Sequence, residues 1–143
     1  MPRSELTVQS EIVKSVKAQE GYAWKQSHRD SIGIVDIRIN LPPFGSMEAE
    51  VKYLGRPNEK FTRKLKVTDL QRRHMRLTYE SGGFPFILVG LITGADHCLV
   101  AVPWDTVSID DGFVDKHAWC TRKVGCKYNM RSLIEDMKEK THG

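Results

Sequence analysis

Three consecutive stretches decide the fold: Ile32-Gly33-Ile34-Val35-Asp36-Ile37-Arg38-Ile39-Asn40, then Leu41-Pro42-Pro43-Phe44-Gly45, then Met47-Glu48-Ala49-Glu50-Val51-Lys52-Tyr53-Leu54. β-Branched residues dominate the first, Pro and Gly punctuate the second, and apolar and polar residues alternate in the third. They predict two strands joined by a short turn and paired antiparallel. Their charged residues are out of place in ordinary core strands. Asp36 interrupts Val35 and Ile37, where another β-branched side chain would pack better. Glu50 and Lys52 stand two apart and share one strand face, while Ala49, Val51 and Tyr53 take the other. A hairpin of these strands would bring Asp36 and Glu50 to one end.

Working outward, Ser4 or Thr7 can cap a first helix that runs to about Glu20 and stops at Gly21. Val8, Ile12 and Val16 form its apolar stripe. Extended segments follow at Tyr22–Ser27, Ser31–Asn40 and Met47–Leu54, then a basic loop to Val67. Thr68-Asp69-Leu70-Gln71 has the capping-box pattern and opens a second helix that should end near Gly82-Gly83. Phe84–Ile92 reads as a buried strand and Cys98–Trp104 as its partner. Residues 105–128 show no clear period. Asn129 can cap a last helix with Leu133, Ile134 and Met137 on one side. The order αβββαββ predicts an α/β (α+β) mixed sheet flanked by helices. One domain over residues 1–143 is expected, with a core at about 5–104 and an irregular extension with a helix at 105–143.

A chain of 143 residues can bury one core without covalent staples. Three cysteines give no disulfide framework. No apolar run approaches the roughly 20 residues of a spanning helix, and Met1–Lys14 lacks a signal-peptide stretch. These features exclude a membrane protein and a disulfide mini-protein, and lead us to expect a cytoplasmic chain. The net charge of +4 is a weak pointer to a polyanion, but its distribution is uneven. Arg56, Lys60, Arg63, Lys64, Lys66, Arg72, Arg73 and Arg76 fall within 21 residues, opposed only by Glu59 and Asp69. Such a stretch is either a solvated face or an electrostatic footprint for phosphates.

Two carboxylates held together repel, and a cation between them resolves the conflict. Mg²⁺ suits the position, because it takes one or two carboxylates and completes its shell with water and phosphate oxygens. Such an ion polarises a phosphodiester and activates water. Lys52 could orient or deprotonate that water, or neutralise charge developing on the phosphate. Glu48 lies on the same strand face and competes with Glu50, but only Glu50 forms Glu-X-Lys with Lys52. The bland alternative is a solvent-facing strand edge on which Glu48, Glu50 and Lys52 are ordinary polar residues and Asp36 pairs with an arginine.

These residues resemble the PD-(D/E)XK nuclease superfamily, with the nearest likeness to Holliday-junction resolvases and related phage or bacterial endonucleases. The resemblance runs from Glu11 to about Leu91. It is carried by Glu11, Gly33-Ile34-Val35-Asp36-Ile37, Glu50-Val51-Lys52, Gln71 within Leu70-Gln71-Arg72-Arg73-His74, and Gly82-Gly83 before the next strand. Val35 stands where the family often has Pro. The resemblance implies a restriction-endonuclease-like αβββαβ core, with Asp36 and Glu50 as metal ligands and Lys52 as the catalytic lysine. It further implies that Gln71 positions water or backbone, and that Glu11 is an accessory acid reaching the metal through water. Gln71 also has a purely structural explanation in the capping box.

The resulting expectation is a Mg²⁺-dependent DNA endonuclease, with Mn²⁺ able to substitute, that resolves four-way junctions as a homodimer. Phe84–Trp104 or the last helix could form the dimer interface. The basic residues named above, with His28 and Arg29, would hold the DNA backbone. The alternatives are another nuclease of the same superfamily or a non-catalytic nucleic-acid-binding module. Trp24 is expected in the core, Trp104 at the sheet edge, Cys98 as a buried small hydrophobe and His74 half-buried on its helix. His117-Ala118-Trp119-Cys120 with Cys126 fits no standard zinc spacing.

Overall fold

A computed structural model describes residues 5–26, 36–55, 62–93, 96–106, 108–110, 120–124 and 127–142. Helix α1 (Glu5–Ala18) is followed by strands β1 (Tyr22–Lys25), β2 (Ile37–Leu41), β3 (Gly45–Gly55) and β4 (Thr62–Lys64). Then come α2 (Asp69–Glu80), β5 (Pro85–Thr93), β6 (Asp96–Pro103), β7 (Ser108–Asp110), β8 (Cys120–Arg122) and α3 (Met130–His142). The main sheet has six strands in the order β1-β2-β3-β5-β6-β8, and β4 pairs with β7 in a separate ribbon. Among the described strands only β3 and β5 run parallel, joined by the crossover through α2. The expected mixed sheet and αβββαβ order are therefore present. No described helix is long and apolar enough to cross a membrane.

One sheet face packs on α1 and α3. Val8, Ile12 and Val16 of α1 meet Ile37, Ile39, Ala49, Val51, Phe86 and Leu88 of the sheet and Leu133, Ile134 and Met137 of α3. Among the described residues the other face is covered only in part. Met75 of α2, with Leu65, closes over Ile87, Val89, Val100 and Val102 on β5 and β6. Strands β1 and β2 lie beyond this cover. Their outward residues Tyr22, Trp24, Arg38 and Asn40 are exposed, while Ala23, Ile37, Ile39 and Leu41 point to the buried face.

The local signals at two helix starts act as read. Thr68 Oγ1 accepts from the Gln71 N–H at 3.1 Å, and Gln71 Oε1 accepts from the Thr68 N–H at 3.0 Å. Asn129 Oδ1 accepts from the Ser132 N–H at 3.0 Å. At α1, Thr7 lies inside the helix rather than at its cap, and Ser4 lies outside the described residues. The end of α1 also differs in its cause. The left-handed residue is Glu20 (φ 66°), not Gly21. Gly21 is needed for room: a Cβ there would lie 2.7 Å from Leu41 Cδ1 and 2.9 Å from the Asn40 carbonyl oxygen.

Strands β4, β7 and β8 have three residues each, too short to show a period in sequence. Trp24 is not in the core, for 46% of its surface is exposed. It occupies the open face of an edge strand, where alternation points it away from α1. The Phe84–Trp104 hairpin is unsuited to a dimer interface, because β5 and β6 are inner strands of the sheet with predominantly buried residues. Cys98 is buried as expected. The expected strand start at 31–35, His117 and Cys126 lie outside the described residues.

Candidate metal and phosphodiester site

Strand register builds the site. Ile37 pairs with Ala49, so the next step outward along the hairpin sets Asp36 against Glu50. Antiparallel partners share a face, and both carboxylates therefore leave on the side away from α1. The Val51 N–H donates to Asp36 Oδ2 at 2.8 Å, which fixes the Asp36 carboxylate between the two residues flanking Val51. Gln26 of the neighbouring segment donates its N–H to the Asp36 carbonyl at 2.8 Å. Lys52 Nζ lies 3.2 Å from Glu50 Oε2. The hairpin thus brings together Asp36, Glu50 and Lys52.

Glu50 is 1% exposed, and β3 is an inner strand of the sheet. That geometry removes the bland reading of a solvent-facing edge. Glu50 Oε2 has Lys52, but Glu50 Oε1 is buried with no hydrogen-bond partner. Burial first, and the negative charge of Asp36 second, push the Glu50 carboxyl from its ordinary 4.5 up to about 7, against the pull of Lys52. Glu5, in the first turn of α1, adds to the rise. A buried acceptor beside a second carboxylate is incomplete as a structural element. It fits a hard divalent cation, to which both oxygens offer charge.

Glu48 has a different fate from Glu50. Its Oε2 lies 2.9 Å from His74 Nε2 on α2. The competing acid is thus tied to the covering helix, and the half-buried His74 is its partner. Among the described residues no group of three or more His, Cys, Asp or Glu side chains is arranged to hold a metal. A carboxylate pair is nevertheless sufficient for Mg²⁺, which keeps several waters.

Gln71 takes the structural role that the sequence also offered, and Glu11 has partners outside the carboxylate pair. The Gln71 carboxamide oxygen is engaged in the capping box. Glu11 binds Lys123 Nζ through Oε2 and accepts from the Tyr128 hydroxyl at 3.5 Å through Oε1. The acid of α1 that acts on Glu50 is instead Glu5. Sequence reasoning missed Glu5, although a first-turn acid six residues before Glu11 was visible.

The basic stretch divides. Lys66 and Arg73 are exposed, and Arg76 is exposed with Glu80 at 4.0 Å. Arg72 departs from the expected phosphate-holding face. Its Nη1 donates to the Trp104 carbonyl at 2.8 Å and its Nη2 is buried without a partner. Burial lowers its pKa, opposed by the charge of Asp105. Arg63 and Lys64 are backbone positions of β4. His28, Arg29, Arg56 and Lys60 lie outside the described residues.

A separate cleft of about 880 Å³ opens near the N-terminal ends of β3 and β5, lined by Phe44, Tyr79, Phe84, Trp104 and Lys138 among others. Glu80 and Asp105 also line it, which makes it a poor seat for a phosphate chain.

No protein-family model and no curated protein sequence matches the chain. Among solved structures, its fold is similar to that of Hjc, a Holliday junction resolvase from the archaeal hyperthermophile Archaeoglobus fulgidus. The TM-score is 0.53 at 11% sequence identity, over 73% of this chain and 85% of that one. At that identity the likeness establishes the fold, an α+β nuclease-like architecture.

Proposed function

We propose that the protein is a divalent-metal-dependent DNA endonuclease that hydrolyses phosphodiester bonds in branched DNA, with the four-way junction as its substrate and a twofold dimer as its working form. The observation that carries this reading is the buried, unpartnered Glu50 Oε1 beside Asp36, on a fold similar to that of a resolvase. Asp36 and Glu50 would hold Mg²⁺, or Mn²⁺ in its place. When bound, that ion supplies Lewis-acid polarisation of the phosphodiester and a lowered pKa for water.

The chain's own residues account for the remaining tasks. Asp36 is held against the β3 backbone by the Val51 N–H, so its second oxygen has a fixed direction. Lys52 opposes the rise in the pKa of the Glu50 carboxyl through their contact, and its positive charge lies where negative charge would grow on a phosphate set against both carboxylates. Lys66, Arg73 and Arg76 supply exposed charge for the DNA backbone without reading bases. A junction offers two symmetry-related strands, which a twofold pair of active sites could cut together.

The test is cleavage of an immobile four-way junction against linear duplex, with Mg²⁺, Mn²⁺ or EDTA. Asp36→Asn, Glu50→Gln and Lys52→Ala should each abolish metal-dependent cleavage while junction binding persists. Junction binding without metal-dependent cleavage by the wild-type protein would leave a non-catalytic binding module, and cleavage by Asp36→Asn at the wild-type rate would remove Asp36 from the site. Equal cutting of linear duplex would favour another nuclease on the same fold.

A further inference from the structure

The sheet face that carries Asp36 and Glu50 continues onto β2 and β1, with no described element over it. Trp24 pairs with Arg38, and Arg38 with Glu48. Tyr22 pairs with Asn40, and Asn40 with Ser46. Each row lies on the same face as the carboxylates, by the strand alternation that puts Ala23, Ile37, Ile39 and Ala49 in the core. Tyr22 is 72% and Trp24 46% exposed, and Arg38 and Asn40 between them and the site are exposed as well. Two large aromatics two residues apart on one open face have no core to serve. A patch of this kind marks a binding surface.

Its position and charge select the occupant. From Trp24 to Glu50 is two strand spacings of about 4.8 Å and one same-face step of about 6.8 Å, so about 12 Å between backbones. A few nucleotides span that distance, at about 3.4 Å per nucleotide when stacked. Arg38 stands beside Trp24 in register, and its Nε lies 3.5 Å from Ser46 Oγ. The acid of that row, Glu48, is engaged by His74. The surface therefore offers aromatic planes and a guanidinium whose cross-strand acid is already engaged. That combination suits the bases and phosphates of an unpaired strand.

From this juxtaposition we infer that Tyr22, Trp24 and Arg38 form a stacking platform for unpaired nucleotides, which leads a single strand across β1 and β2 to the carboxylate pair. The inference rests on the nuclease reading for its direction, but not for its measurement. Within branched DNA it narrows the substrate to junctions opened at the branch point and to forks, in which unpaired bases lie next to the scissile phosphate. A perfectly paired duplex would hold its bases away from the aromatic rings.

The experiment measures binding in EDTA, by fluorescence anisotropy, of a labelled fork with two unpaired arms and of a blunt duplex. Trp24→Ala and Tyr22→Ala are compared with wild type, and Trp24→Phe serves as the aromatic control. At about 1–3 kcal/mol per stacked base, Trp24→Ala should weaken fork binding by about 5- to 150-fold and duplex binding by less than about twofold. Trp24→Phe should recover most of the loss. Equal loss on fork and duplex would overturn the platform. So would a Trp24→Ala effect confined to self-association in sedimentation, since the face would then be an interface between copies. If aromatic-dependent fork preference persists and no metal supports cleavage, the platform stands and the nuclease reading fails. If Trp24→Ala cuts and binds forks as wild type does, the platform fails alone.

Discussion

Neutralising Glu50 should stabilise the metal-free protein, and only above a defined pH. In the folded state the carboxyl titrates at about 7 rather than 4.5, chiefly from burial and secondarily from Asp36. The folded state therefore binds this proton more tightly than the unfolded chain. Stability from this group is fully present below pH 4.5, declines as pH rises, and is lost once pH passes about 7. At about 1.4 kcal/mol per pH decade, the displacement amounts to about 3 kcal/mol. Glu50→Gln has no such proton to lose. Urea unfolding in EDTA should thus show Glu50→Gln gaining on wild type by up to about 3 kcal/mol between pH 5 and pH 8. Millimolar Mg²⁺ or Mn²⁺ at pH 8 should restore wild type by mass action and leave the variant unchanged. A wild-type minus variant difference that is flat from pH 5 to pH 8 would refute the reasoning, as would equal metal stabilisation of both proteins.

Further outcomes follow from the geometry of the caps, of Gly21 and of the basic stretch. Thr68→Ala should cost about 1 kcal/mol by removing the cap on α2, whereas Gln71→Glu retains a capping-box side chain and should leave the denaturation midpoint nearly unchanged. If Gln71 touches substrate, that same variant loses junction cleavage at constant stability. Gly21→Ala forces a Cβ to within 2.9 Å of the Asn40 carbonyl oxygen, and should destabilise by about 1–3 kcal/mol in thermal unfolding. Arg73→Ala should reduce the salt slope of DNA binding by about 0.9. Arg72→Met should instead lower stability with the slope intact, because its Nη1 is spent on the Trp104 carbonyl.

What could be read from the chain was whatever local periodicity enforces. Val8, Ile12 and Val16 are spaced for one helix face and are all fully buried. Thr68 and Gln71 satisfy each other within four residues. Asp36, Glu50 and Lys52 were legible because strand alternation and one short turn suffice to bring them together. Other features depended on distant partners. The inward turn of Arg72 is set by a carbonyl 32 residues away, and the engagement of Glu11 by Lys123 and Tyr128 is set more than 100 residues away. Trp24 was misplaced because an aromatic in a short strand signals burial only when both faces are covered. Here β1 is an edge strand, and α2 covers β5 and β6 instead.

Glu48 and Glu50 show why the site follows from the fold rather than from composition. Both are acids of one strand, on one face, two residues apart, and equivalent by strand alternation. Their different partners arise from the path of α2. His74 reaches Glu48 and satisfies it. Glu50 lies one step further along β3, opposite Ile87, whose neighbours form the second apolar cluster. That cluster excludes water from Glu50 and offers it no donor, so Lys52 is left to satisfy one oxygen while the other stays orphaned. The same alternation that sends Ala49 and Val51 into the core obliges residues 48, 50 and 52 to face the other side. The hairpin therefore cannot bury its apolar face without presenting its acids and lysine together.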